Sequence, residues 1–223
     1  TEILQPKEVA MAKMRTEKNM AIASEISDKA ITLVKNKQDL LPISPEKNKK
    51  VLLVEVKGPE SAYGKLMAAM TAGKKKPIEL MKELLEKAGF EVEIYESPID
   101  KLMKLPPQEM MGAIMNVYAQ KRPIAELTNK YDLIINIADV APTTDQRIQW
   151  APLKGTPDIP FYVNEVPTIF ISLQCPFHLA DVPQIKTYIN AYDSHDHTVT
   201  AIVDKLLGRS EFKGVSPVDA FCG

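Results

Sequence analysis

A three-layer α/β sandwich with a mostly parallel sheet, preceded by a long N-terminal connecting helix, is the fold this sequence predicts. Three observations predict it. Val51-Leu-Leu-Val-Glu-Val56, Tyr131-Asp-Leu-Ile-Ile-Asn-Ile-Ala138 and Val166-Pro-Thr-Ile-Phe-Ile-Ser-Leu173 are short, nearly continuous apolar runs. Such runs mark strands covered on both faces. Helical patterns separate them, and strands alternating with helices imply parallel pairing through right-handed crossovers. A chain of 223 residues that is 45% hydrophobic also supplies one substantial core.

The elements follow in order. Residues 6–35 contain no Gly or Pro after Pro6, which suits a first helical position. Ile22, Ile26, Ala30, Leu33 and Val34 recur at helical spacing. The spacing predicts one helix about 45 Å long, a length suited to reaching another domain, and Asn36 to Pro42 ends it. Residues 1–42 are thus assigned to the connecting helix and linker, and 43–223 to the sandwich. Glu91-Val-Glu-Ile-Tyr95 alternates, which predicts a peripheral strand, and Thr187 to Tyr192 supplies another. Pro77 starts a helix with Ile78, Met81, Leu84, Leu85 and Ala88 as its buried stripe and Gly89 as its stop. Gln108 to Ala119 is a Met-rich second helix. Ser194 is placed to cap a last one carrying Val199, Ile202, Val203, Leu206 and Leu207, closed by Gly208.

Bulk properties exclude several classes. A net charge of −1, from 28 basic and 29 acidic residues, gives no footprint for nucleic acid. No apolar run approaches the roughly 20 residues of a membrane span. No signal pattern opens the chain, so a cytoplasmic location is expected. Two cysteines, Cys175 and Cys222, make no disulfide framework. The first residue is Thr1 rather than Met, and the expectation is an excised or processed piece of a longer protein.

Two segments lack regular patterning, 58–76 and 140–165. The second follows a predicted central strand and is long for a connection in a compact domain. Loops after the carboxyl ends of parallel strands are where open α/β sheets bind ligands. This loop holds Arg147 and Trp150, the single tryptophan of the chain, with Tyr162 and Asn164 after them. Aromatic faces and hydrogen-bonding side chains suit a sugar subsite. They suit a domain interface equally, where Trp, Tyr and Arg are enriched. Glycoside chemistry needs a pair of carboxylates, and Asp139, Asp145, Asp158 and Glu165 are on offer, with nothing to single out two.

Other chemistry fails on spacing. Gly58 to Leu66 resembles a phosphate loop, but five residues separate Gly58 and Gly64, and Leu66 stands where a hydroxyl must hold magnesium. No Gly-x-Gly-x-x-Gly exists, so no cofactor is expected. His195-Asp196-His197 reads as a solvated helix start rather than a metal site. Cys175-Pro-Phe-His178 lacks a third group to orient a nucleophile pair, and His178 is expected to be a satisfied loop histidine.

Two stretches carry a family resemblance. Ala23-Ser-Glu-Ile-Ser-Asp-Lys-Ala-Ile-Thr-Leu-Val-Lys-Asn-Lys-Gln-Asp-Leu-Leu-Pro-Ile43 and Lys205-Leu-Leu-Gly-Arg-Ser-Glu-Phe-Lys-Gly-Val-Ser-Pro-Val-Asp219 resemble the opening and closing of the C-terminal α/β domain of glycoside hydrolase family 3. Pro167 to Leu173 with Pro176, Thr187 to Tyr192 and Leu207-Gly-Arg209 resemble its internal patterns, in order. The branch it is most similar to is that of the bacterial β-N-acetylglucosaminidases. The resemblance implies that the nucleophilic Asp and a His–Asp acid/base pair lie on an N-terminal barrel domain, whose signatures are absent here. No catalytic residue is therefore carried onto this chain. Its implied role is to support that barrel and edge its substrate cleft, with carbohydrate as ligand. The alternative is a stand-alone α/β ligand-binding or interaction domain, and a weaker third reading is a flavodoxin-like enzyme.

Overall fold

The computed structural model describes residues 5–14, 16–56, 75–102, 104–119, 123–140, 148, 157 and 159–219. Among these, six strands form one sheet. They are β1 (Thr32–Asn36), β2 (Lys50–Val56), β3 (Glu91–Ile94), β4 (Leu133–Ala138), β5 (Thr168–Ser172) and β6 (Thr187–Asn190), in the spatial order β1-β6-β5-β4-β2-β3. Strands β2 to β6 are mutually parallel, and β1 alone runs antiparallel, against β6. The three continuous apolar runs are neighbours at the centre. Alternating Glu91-Val-Glu-Ile94 forms the edge strand β3, as its half-polar pattern demands.

Side-chain alternation sorts the core into two faces. Val51, Leu53, Leu133, Ile135, Ile137, Ile169, Ile171 and Ile189 point to one. Two helices cover it: α3 (Pro77–Lys87) through Ile78, Met81 and Leu85, and α7 (Asp196–Leu206) through Val199, Ile202, Val203 and Leu206. Leu52, Val54, Ile134, Phe170 and Tyr188 point to the other. The short α6 (Ala125–Thr128) covers that face through Leu127, together with Tyr162, Val166 and the segment Leu179 to Ile185. The layered sandwich thus stands, with one helical layer long and the other short and irregular. Two further helices, α4 (Pro98–Leu102) and α5 (Pro107–Ala119), lie between β3 and α6 in the chain. No helix among the described residues is long and apolar enough to cross a membrane.

The predicted single helix over 6–35 is instead α1 (Lys7–Met14), α2 (Glu17–Ala30) and β1. Thr16 breaks the first two. Its backbone is extended (φ −71°, ψ 153°), and its hydroxyl accepts the Asn19 N–H at 3.2 Å, a capping arrangement that starts a new helix. Ile31 leaves helical geometry, and the β-branched Thr32 and Val34 enter the sheet beside β6. The apolar stripe read across that helix does not form. Ile22 and Ile26 are 45% and 61% exposed, and Ser27 is the residue α2 buries. Ser27 meets Thr198 of α7 at 3.0 Å, so α2 and β1 pack with the sandwich although the sequence placed 1–42 outside it.

The caps of the remaining helices also differ in detail. Glu79 accepts the Lys76 N–H at 3.0 Å at the start of α3, and Gly89 (φ 98°) ends it. The N-cap of α7 is His195, not Ser194. Asp193 organises that end by accepting from Thr198 Oγ1 at 2.6 Å and meeting His195 Nδ1 at 2.5 Å.

Candidate functional site

The carboxyl edge of β4, β5 and β6 is where a parallel sheet exposes loops to a ligand. Asp139 follows β4 there, and its carboxylate accepts from Gln174 Nε2 at 2.5 Å. Asp139 is exposed and Gln174 half-buried. Beneath them lies a fully buried polar cluster. Ser172, the last residue of β5, lies 2.5 Å from the Cys175 carbonyl and 2.8 Å from His178 Nδ1.

The proton count decides what this cluster can do. A carbonyl cannot donate, so the one hydroxyl proton of Ser172 goes to Cys175. His178 Nδ1 must then carry the hydrogen and donate to Ser172. That is the reverse of a nucleophile–base pair, in which the imidazole accepts the hydroxyl proton. Burial pushes the Cys175 thiol and the nearby Tyr188 phenol up, and both stay neutral. With Asn190 Nδ2 donating to the Pro176 carbonyl at 3.2 Å, the cluster ties down the turn after β5.

A second buried network ties the 140–165 loop to the sheet. Asn136 is a polar residue inside an otherwise apolar strand, and its Nδ2 donates to the Tyr162 hydroxyl at 3.1 Å. That hydroxyl in turn donates to the Pro157 carbonyl at 2.8 Å. At the other foot, the Ile148 N–H donates to Asp181 Oδ2 at 3.2 Å. Ile148 and Pro157 are thus pinned points on the second face of the sheet.

The residues singled out from the sequence separate accordingly. Tyr162 is fully buried and belongs to the core, so its ring is closed to a ligand in this chain. Asn164 is exposed on the turn before β5. Arg147 and Trp150, with Asp145 and Asp158, lie outside the described residues. Of the remaining carboxylates, Asp139 and Glu165 sit at opposite ends of the sheet. Ile134 is level with Thr168, so Glu165 precedes the amino edge while Asp139 follows the carboxyl edge. Strand geometry puts these edges about 15–20 Å apart, beyond the roughly 5–9.5 Å of a glycosidase pair. Among the described residues, no group of three or more His, Cys, Asp or Glu could hold a metal ion.

Sequence reasoning missed one further construction, at Lys205. Its side chain is fully buried, with Nζ 2.6 Å from the Glu211 carbonyl, 3.2 Å from Ser210 Oγ and 3.0 Å from Asp28 of α2. Burial pushes the Asp28 carboxyl up, but the bonds to Ser210 and Lys205 outweigh it and hold the group below its ordinary value. The signal was available: Lys205 falls among Ile202, Val203 and Leu206 on the buried side of α7, where a charge requires partners.

No family model matches the chain. A β-N-acetylglucosaminidase/β-glucosidase of Cellulomonas fimi is 34% identical over 206 residues, which are 91% of this chain and 32% of that protein. Among solved structures, a β-glucoside phosphorylase, BglX, is 36% identical with a TM-score of 0.74, over 100% of this chain and 35% of that one. A glycoside hydrolase family 3 β-N-acetylglucosaminidase from Paenibacillus sp. str. FPU-7, at 20% identity and a TM-score of 0.54, shares the fold over 91% of this chain and 32% of its own. The chain therefore spans about a third of the length of the relatives it matches.

Proposed function

Because the chain belongs to glycoside hydrolase family 3, as its C-terminal α/β-sandwich domain, we propose that it serves an enzyme acting on β-linked N-acetylglucosaminides. Its part is to buttress a catalytic barrel and edge that barrel's substrate cleft. The nucleophile and the acid/base pair belong to the barrel. One observation carries this reading: 91% of the chain aligns, at 34% identity, with about a third of a β-N-acetylglucosaminidase/β-glucosidase. The carboxyl edge, with exposed Asp139, is the side proposed to face the barrel and any bound sugar. Arg147 and Trp150 are the side chains proposed to make those contacts.

The test is to assay the protein that carries both domains on chromogenic N-acetyl-β-glucosaminides and β-glucosides, beside this chain alone. Turnover by the two-domain protein and none by the chain is the expected result. Equal turnover by the chain alone overturns the assignment. Specific binding of a non-sugar ligand, with no turnover in either form, favours a stand-alone binding domain.

A second reading concerns the acceptor. The relative with a TM-score of 0.74 is named as a phosphorylase, so inorganic phosphate competes with water as the group that takes the glycosyl unit. Adding phosphate and measuring sugar 1-phosphate against free sugar separates the two.

A further inference from the structure

We propose that α1 and the outward side of α2 form a preshaped docking face for the domain that makes up the rest of these relatives. This rests on the family reading above. It adds a contact surface on the helices that lead into β1, whose first residue, Thr32, lies level with Asn190 at the carboxyl end of β6.

The first argument is that α1 has no reason to be helical by itself. It has eight residues, five of them apolar, and buries none of them. Isolated helices shorter than about 12–15 residues are marginal in water, and a helix in a folded protein is held chiefly by packing. Val9, Met11 and Met14 are 39%, 42% and 69% exposed, so the described residues do not supply that packing. The second argument is continuity. Ile22 and Ile26 stand one turn apart on α2, away from Ser27, and expose apolar surface on the same stretch of sequence. The third is that the corner between the helices is built. Asn19 Nδ2 donates to the carbonyls of Lys13 and Met14 at 3.1 and 3.2 Å, closing the end of α1, while Thr16 caps α2. A corner closed by these bonds, between helices that each leave Met or Ile unburied, suits a preformed interface, since Met adapts its shape to irregular apolar surfaces.

The occupant follows from length. The relatives are about three times as long as this chain and cover all or nearly all of it, so a further domain of roughly twice its size is the candidate for such a face. The partner surface must be apolar and uncharged at its centre, to match the two isoleucines. Lys29 and Glu25, paired at 2.6 Å on α2, lie beside them.

The test is hydrogen exchange on the protein that carries both domains, read by peptide. Peptides from α1 and the first turns of α2 should exchange at least about tenfold slower than an unstructured chain. The double variant Ile22→Glu/Ile26→Glu should abolish that protection while α7 peptides keep theirs, since neither side chain is in the core. Exchange of α1 at the unstructured rate overturns the proposal. So does protection lost on dilution as a dimer falls to monomers, because a second copy would then be the occupant. Glycosidase and phosphorylase activities are measured on the same sample. Activity with unprotected α1 sinks the docking face alone, and a protected α1 without activity sinks the catalytic reading alone.

Discussion

Lys205 shows how much one side chain organises here. Its ammonium joins α2 through Asp28, and the chain after α7 through Ser210 and the Glu211 carbonyl. Lys205→Ala should cost about 2–4 kcal/mol, from the lost packing and from partners left without their donor. Lys205→Met keeps the stem and should cost less, and denaturant melts of both variants check the ordering. Asp28 gives the pH dependence. Its folded value lies below the ordinary one, so its contribution is present above about pH 4 and is lost as pH falls through the depressed value. The stability gap between the protein and Asp28→Asn should close on acidification; a gap independent of pH between 7 and 2 sinks this account. Tyr162 marks where residue-level reading of the sequence ran out. An aromatic in a loop can face a ligand or the core, and only its bonds to Asn136 and Pro157 decide. Tyr162→Phe should therefore lower stability by about 1–3 kcal/mol, by stripping a buried amide of its partner, and leave KM for any sugar unchanged. A raised KM with an unchanged melt would restore the ligand reading.

Elements were legible where hydrophobic period and stop signals agreed. β2, β4 and β5 are near-continuous apolar runs, and α3 has Pro at its start and Gly at its end, so pattern and local chemistry point the same way. The 6–35 stretch failed because nothing in it forbids a helix. Thr16 is a cap only once the chain turns there, and β1 exists because β6 offers it an edge, a non-local fact. The segment after α7 was legible only as a family signature; the structure shows its physical basis. A Cβ at Gly214 would stand 2.5 Å from the Ala30 carbonyl oxygen, 2.7 Å from that of Ile31 and 2.7 Å from Thr32 Oγ1. Gly214→Ala should thus push this segment off α2 and β1, lowering Tm and opening 209–219 to limited proteolysis. Gly112 in α5 is the internal contrast, with nothing within 4 Å of an added Cβ. Gly112→Ala should raise stability by about 0.5–1 kcal/mol, because alanine loses less backbone freedom in a helix. Matching losses at both positions would show that space and helix propensity are not what governs them.

At the scale of the whole molecule, six strands form one sheet, and the candidate carboxylates among the described residues lie at its opposite edges. The central strands are buried on both faces and supply the stability, yet Asp139 and Glu165 at opposite edges make no catalytic pair, and Ser172 and His178 face each other with the wrong proton arrangement. The chain alone should therefore give no measurable hydrolysis of chromogenic N-acetyl-β-glucosaminides, since preorganised catalytic groups supply many orders of magnitude in rate. Turnover that survives rigorous purification, and vanishes on Asp139→Asn, would overturn this. Trp150 gives the complementary test in the protein that carries both domains. If it reaches the barrel or a bound sugar, Trp150→Ala should weaken domain docking or raise KM while the melt of this domain stays put. A buried core tryptophan would instead cost about 3–5 kcal/mol on truncation. Loss of folding in the isolated domain would assign Trp150 to the core, and the carboxyl edge would then lose the side chain that its proposed contact with sugar or barrel most depends on.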